Sequence, residues 1–156
     1  MAWFEDIRHT IPQHATKKFA TRSVSKIVGG VVHQTAGSDN VLSTARYHVG
    51  PNHVSETGCP GLLYTFFINM KGEIYWCNDL ESKTWSQGGR GSPVPNTSAN
   101  GSFLSIVLGG AYDGPGWEGK NPGPPFAQIH ATLALWGHLT GANYNSALPS
   151  ELHGVL

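Results

Sequence analysis

The stretch LLYTFFINMKGEIYWC, Leu62–Cys77, constrains the fold more than any other part of the chain. Leu62 to Asn69 and Glu73 to Cys77 are two short runs rich in β-branched and aromatic residues. Met70-Lys71-Gly72 separates them, with Gly72 free to take a positive φ. That pattern reads as a β-hairpin. On periodicity Tyr64, Phe66 and Ile68 share one face of its first strand.

Around the hairpin, strand and helix patterns alternate. Ile27 to His33 reads as a buried strand bounded by glycine and a turn. Ser38 or Asp39 then caps a helix whose apolar face is Val41, Leu42, Ala45 and Val49, ended by Gly50-Pro51. Residues 82–101 form a long loop rich in Gly, Ser, Pro and Asn, the type of segment that often carries function. SFLSIVLGG is another buried strand. PFAQIHATLALWGHLTG reads as a helix, with Pro125 in its first turn and Gly141 as its stop. Its stripe is Phe126, Ile129, Leu133, Trp136 and Leu139 or Thr140. The expectation is an α/β fold, a mixed sheet flanked by helices. Such sheets place sites at strand ends.

His33 lies at one such end, where the strand opens into a polar turn. A lone histidine is more often structural than a ligand. Histidine is nonetheless plentiful, at 8 residues, and no His-Glu-x-x-His helix explains it. His48 reads as structural or solvent-facing. His130 and His138 lie eight residues apart on one helix, too far to grip one ion unaided. Cys59 and Cys77 are too few for a disulfide framework and read as free thiols. Lys+Arg and Asp+Glu each total 10, so the net charge argues against a polyanion such as nucleic acid as the main partner and leaves a glycan or peptidoglycan open. No segment is long and apolar enough to insert in a membrane. The N-terminus lacks an apolar signal core, which points to synthesis in the cytoplasm with delivery to the wall by a holin-type or other release.

Taken in order, VVHQTAG, the hairpin LLYTFFINMKGEIYW, SFLSIVLGG and the late ELHG resemble the zinc-dependent N-acetylmuramoyl-L-alanine amidases, which include phage lysins and peptidoglycan-recognition proteins. The resemblance spans about residues 24–156. It implies an amidase-like single domain there, cut short at its carboxyl end, with residues 1–23 as an extension packed on it. It implies peptidoglycan, a glycan strand with its stem peptide, as the partner, and Zn2+ as the cofactor. His33 and His153 would be metal ligands. The family's third ligand, an Asp or Cys, falls past Leu156. Tyr64 would stand beside the substrate carbonyl, with Thr65 where the family usually has histidine.

The implied reaction is hydrolysis of the amide between N-acetylmuramic acid and L-alanine. Zinc would lower the pKa of a bound water to about 7 and polarise the carbonyl. The Tyr64 hydroxyl would serve as an oxyanion donor, a role worth about 3 kcal/mol of barrier. Thr35, Trp85 and Asn96 are candidate substrate contacts. Their plainer readings are a turn brace for Thr35 and a solvated loop with one packed tryptophan for the others. A binding domain of the same fold, without catalytic zinc, is the competing expectation.

Overall fold

The computed structural model describes residues 3–87, 98–113, 121–143 and 147–156. Its strands are β1 (Phe4–Asp6), β2 (Gly29–Gln34), β3 (Phe66–Ile68), β4 (Ile74–Trp76) and β5 (Phe103–Leu108). They form one five-stranded sheet in the order β1-β4-β3-β5-β2. Only the β3–β4 hairpin is antiparallel; β1–β4, β3–β5 and β5–β2 are parallel. The helices are α1 (Val41–Val49), α2 (Ser98–Ser102) and α3 (Phe126–Leu139). The expected mixed sheet with flanking helices is therefore the fold. The extension contributes β1 to the same sheet, an element the polar N-terminal sequence did not announce.

Strand alternation divides the core into two layers. Phe66, Ile68, Leu104 and Ile106 point to one face, where Ala131, Leu135 and Leu139 of α3 cover them. Phe67 and Val107 point to the other, where they meet Val41 and Ala45 of α1 and Ile7 and Ile11 of the extension. Each such large apolar side chain contributes about 1.5–3 kcal/mol on burial. Tyr64 is a correction to the periodicity reading. The ladder begins only at Phe66, so Tyr64 escapes the alternation and packs against the Phe67 layer instead.

Two further expectations are revised. Asn40, not Ser38 or Asp39, caps α1, its Oδ1 accepting the Ser43 N–H at 2.9 Å. Asp39 instead accepts the Met70 N–H at 2.6 Å and pins the hairpin turn, where Gly72 has φ +82°. The expected apolar stripe of α3 is largely outside, with Phe126 81% and Leu133 65% exposed. The buried face is Gln128, Ala131, Leu135, Gly137, His138 and Leu139.

Gln128 explains how α3 is aligned. Its Nε2 donates to the Ile68 carbonyl at 2.7 Å and the Gly109 carbonyl at 3.1 Å, and its Oε1 accepts from the Tyr112 hydroxyl at 2.7 Å. The helix thus starts at the carboxyl ends of β3 and β5. Further along, Trp136 lies over Gly30, where a Cβ would come within 2.6 Å of its ring. Gly30 pairs with Leu104 near the start of β5, so α3 runs antiparallel to the strands beneath it.

Candidate functional site

His33 pairs with Val107 near the carboxyl ends of β2 and β5. Its ring is half-buried, and its Nε2 is buried with no hydrogen-bond partner. Burial pushes its pKa below the ordinary histidine value, while a bond to the Gln87 side chain works in the opposite direction. The ring is therefore neutral at pH 7, with an unengaged nitrogen. An unpaired buried polar atom costs free energy, so its presence at a strand end is informative.

Tyr64 sits beside it, with ring centroids 5.6 Å apart. The hairpin strand is not regular here, and the side chain of Asn78 holds the segment by donating to the Leu62 carbonyl at 2.8 Å and the Tyr64 carbonyl at 2.7 Å. Burial raises the Tyr64 pKa to about 12, so the phenol keeps its proton and stays a donor. Among the described residues its hydroxyl makes no hydrogen bond. Thr65 is fully buried with its Oγ1 unpartnered, its N–H donating to Ser105.

Of the two readings open for His48, structural or solvent-facing, the structure shows the structural one. The residue is 6% exposed, and its ring lies 5.8 Å from that of Tyr64 on the side away from solvent. Its Nδ1 accepts the Leu63 N–H at 3.4 Å. Burial lowers its pKa to about 4, with a smaller contribution from His53. The signal was present: Val41, Thr44, Ala45 and His48 fall at helical spacing and form the buried face of α1.

The other expected contacts fare differently. The Thr35 hydroxyl braces the turn, within 2.9 Å of the Ser38 carbonyl and 3.0 Å of the Gly110 carbonyl, and it accepts the Gly110 N–H. Trp85 is half-buried edge-on against Phe19, centroids 6.0 Å apart. Asn96 lies outside the described residues, as does Trp117.

His153 is not brought to His33. Its ring packs 5.1 Å from that of His138, which follows Gln128 by ten residues, about 15 Å along α3. The Gly154 N–H and the Leu156 N–H bond to the His138 and Leu139 carbonyls, fastening this segment to the carboxyl end of the helix. Because α3 runs against the strands, that end lies over the start of β2, and His33 lies at its finish. The reason the pairing fails is topological: the last segment folds back onto the helix rather than reaching the strand ends.

Among the described residues no three His, Cys, Asp or Glu side chains gather as a metal site. His33 offers one nitrogen of the right kind for zinc, but the described residues do not gather the three ligands that a zinc centre uses, so by themselves they do not fit the ion. Cys59 and Cys77 are both buried free thiols.

A family model described as N-acetylmuramoyl-L-alanine amidase matches residues 23–151. Among solved structures, the ectodomain of the Drosophila transmembrane receptor PGRP-LCa superposes with a TM-score of 0.54 at 17% identity, over 85% of this chain and 72% of that one. Manduca sexta peptidoglycan recognition protein-1 gives 0.52 at 20% identity, covering 85% and 69%. Drosophila peptidoglycan recognition protein SA gives 0.51 at 18%, covering 94% and 76%. No curated protein sequence matches the chain.

Proposed function

From a chain that belongs to the N-acetylmuramoyl-L-alanine amidase family, we propose a lysin-type protein that acts on bacterial peptidoglycan, at the amide joining N-acetylmuramic acid to the L-alanine of the stem peptide. The observation that carries this reading is the His33 Nε2, buried, unpartnered and held beside the Tyr64 phenol at the carboxyl end of the sheet. A neutral imidazole nitrogen can accept a proton from an attacking water or ligate a metal. Tyr64 keeps its proton at neutral pH and serves as the donor to the carbonyl oxygen as charge develops there. Gln87 and His48 fix the two rings from behind.

A second reading is recognition without hydrolysis. It is favoured by the absence of a three-ligand metal cluster among the described residues. One experiment separates them. Purified wall fragments are incubated with the protein, with added zinc or with chelator, and new L-alanine amino groups are counted beside a pull-down. Release of new amino groups is the expected result, and the zinc and chelator arms show whether a metal takes part. Saturable, chelator-insensitive binding with no release would replace hydrolysis by recognition.

A further inference from the structure

A second polar cleft, of ≈ 570 Å³, opens at the other end of the sheet. Thr21, Arg22, Ser23, Lys26, Lys83 and Ser102 line it. The chain from Thr21 to Lys26 is tied to residues 81–83 by the Arg22 N–H to Glu81 carbonyl bond and the Lys83 N–H to Ala20 carbonyl bond, both 2.8 Å. Ser102 ends α2, and its carbonyl accepts the Val28 N–H just before β2. The cleft therefore lies at the amino ends of β2 and β5. His33 stands four residues into β2, about 13 Å further along the strand.

Arg22 is the unusual member. It is 6% exposed, yet among the described residues no carboxylate bonds it. Its Nε donates to the Leu80 carbonyl at 3.0 Å, and its Nη1 to the Asn100 and Phe103 carbonyls at 2.7 Å each. Its Nη2 is buried with no partner. Among the described residues Glu81 is the acid whose field reaches it, and burial dominates, pulling its pKa down. A buried, unneutralised guanidinium is costly to keep. Lys26 and Lys83 make no ion pair among the described residues. Three cations thus face one cleft in a chain of zero formal net charge.

We propose that this cleft binds a phosphate group. The three positive charges and the hydroxyls of Thr21, Ser23 and Ser102 suit a phosphate group, whose two or more non-bridging oxygens accept together. Arg22 acts from behind the cleft wall, where low dielectric strengthens its field, and the lysines close on the ligand from the rim. The source is either free phosphate or the phosphodiester of an anionic polymer.

The test titrates the full chain with inorganic phosphate, following the amides of Ser23, Gly101 and Ser102 by NMR. Saturable shifts at those amides are expected, with affinity falling about tenfold or more in the Lys26→Ala/Lys83→Ala variant. Both lysines can be removed without touching the core, so this variant tests the cleft even where Arg22→Ala fails to fold. No saturation by about 20 mM phosphate, where a millimolar site would fill, overturns the site. So does unchanged affinity in the double variant. A glycerol phosphate oligomer is the second probe. Tighter binding than the free ion assigns the polymer as ligand, and equal or weaker binding assigns the free ion.

Discussion

At His48 the fold buries a group that titrates in the physiological range. The folded-state pKa of about 4 lies below the ordinary value of 6.5, because the charged form has no solvation behind Tyr64. The unfolded chain therefore takes up the proton first. Stability from this residue is fully present above pH ~6.5 and declines as pH falls toward ~4. His33 contributes in the same direction, since its pKa is also lowered. Urea midpoints should drop between pH 7 and pH 4.5, and His48→Gln should flatten that slope. An equally steep slope in the variant would place the proton uptake elsewhere. Tyr64 makes a separate prediction. Tyr64→Phe keeps the ring packing on His33 and His48 but removes the donor, so amide hydrolysis should slow by about a hundredfold or more with little change in urea midpoint. Near-normal turnover would make Tyr64 a packing residue alone. His33 was legible because a histidine ended an apolar run. His48 was legible as to its face, from the helical spacing of Val41, Thr44, Ala45 and His48, but its contact with Tyr64 depends on where Tyr64 leaves the sheet, and no local pattern reports that.

Among the elements, α3 is held by polar bonds at its start and by apolar contact along its length. Gln128 is fully buried and satisfies the Ile68 and Gly109 carbonyls that close β3 and β5. Gln128→Leu would keep the volume but remove the amide's three bonds, leaving the Gly109 carbonyl to the Tyr112 hydroxyl and the Ile68 carbonyl to the Gly109 N–H. A loss of about 2–4 kcal/mol is expected by urea denaturation. Tyr112→Phe should cost less, about 1 kcal/mol, since one donor goes and the Gln128 amide still serves Gly109. If the two variants were equal, the helix would not depend on Gln128 for its alignment. The helix was legible as to extent, from Pro125 to Gly141, but not as to face. Large apolar residues such as Phe126 and Leu133 suggested the wrong stripe, whereas the side that packs uses small Ala131 and Gly137 with Leu135, Leu139 and a satisfied glutamine. Close approach to the sheet selects small residues, and hydrophobicity alone does not register that requirement. The strands were easier. β3, β4 and β5 each carry a continuous apolar run, because helices cover both faces of the sheet.

Over the whole molecule, the parallel strands give the sheet two chemically different ends. The carboxyl end holds His33 and Tyr64 with neutral, desolvated side chains. The amino end holds the Arg22 cleft, and the carboxyl end of α3 brings His138 and His153 to the same side of the molecule. Order along the chain identified the family, and the sheet rearranges that order: the SFLSIVLGG strand lies between the hairpin and the VVHQTAG strand. Chain order could not identify the partners of His33, because a late histidine reaches the strand ends only if the chain turns that way after α3. Here residues 154 and 156 bond back to the helix. The two histidines proposed as joint ligands should therefore separate under mutation. His33→Ala removes the unengaged ring nitrogen at the site and should abolish hydrolysis, together with any zinc that the chain retains, read as metal content after dialysis. His153→Ala removes a ring stacked on His138 and should lower thermal stability by a few degrees while leaving metal content and peptidoglycan binding unchanged. Loss of metal in both variants to the same degree would mean that the last segment swings to the other end of the sheet when zinc binds, a rearrangement that must break the Gly154 and Leu156 bonds to α3.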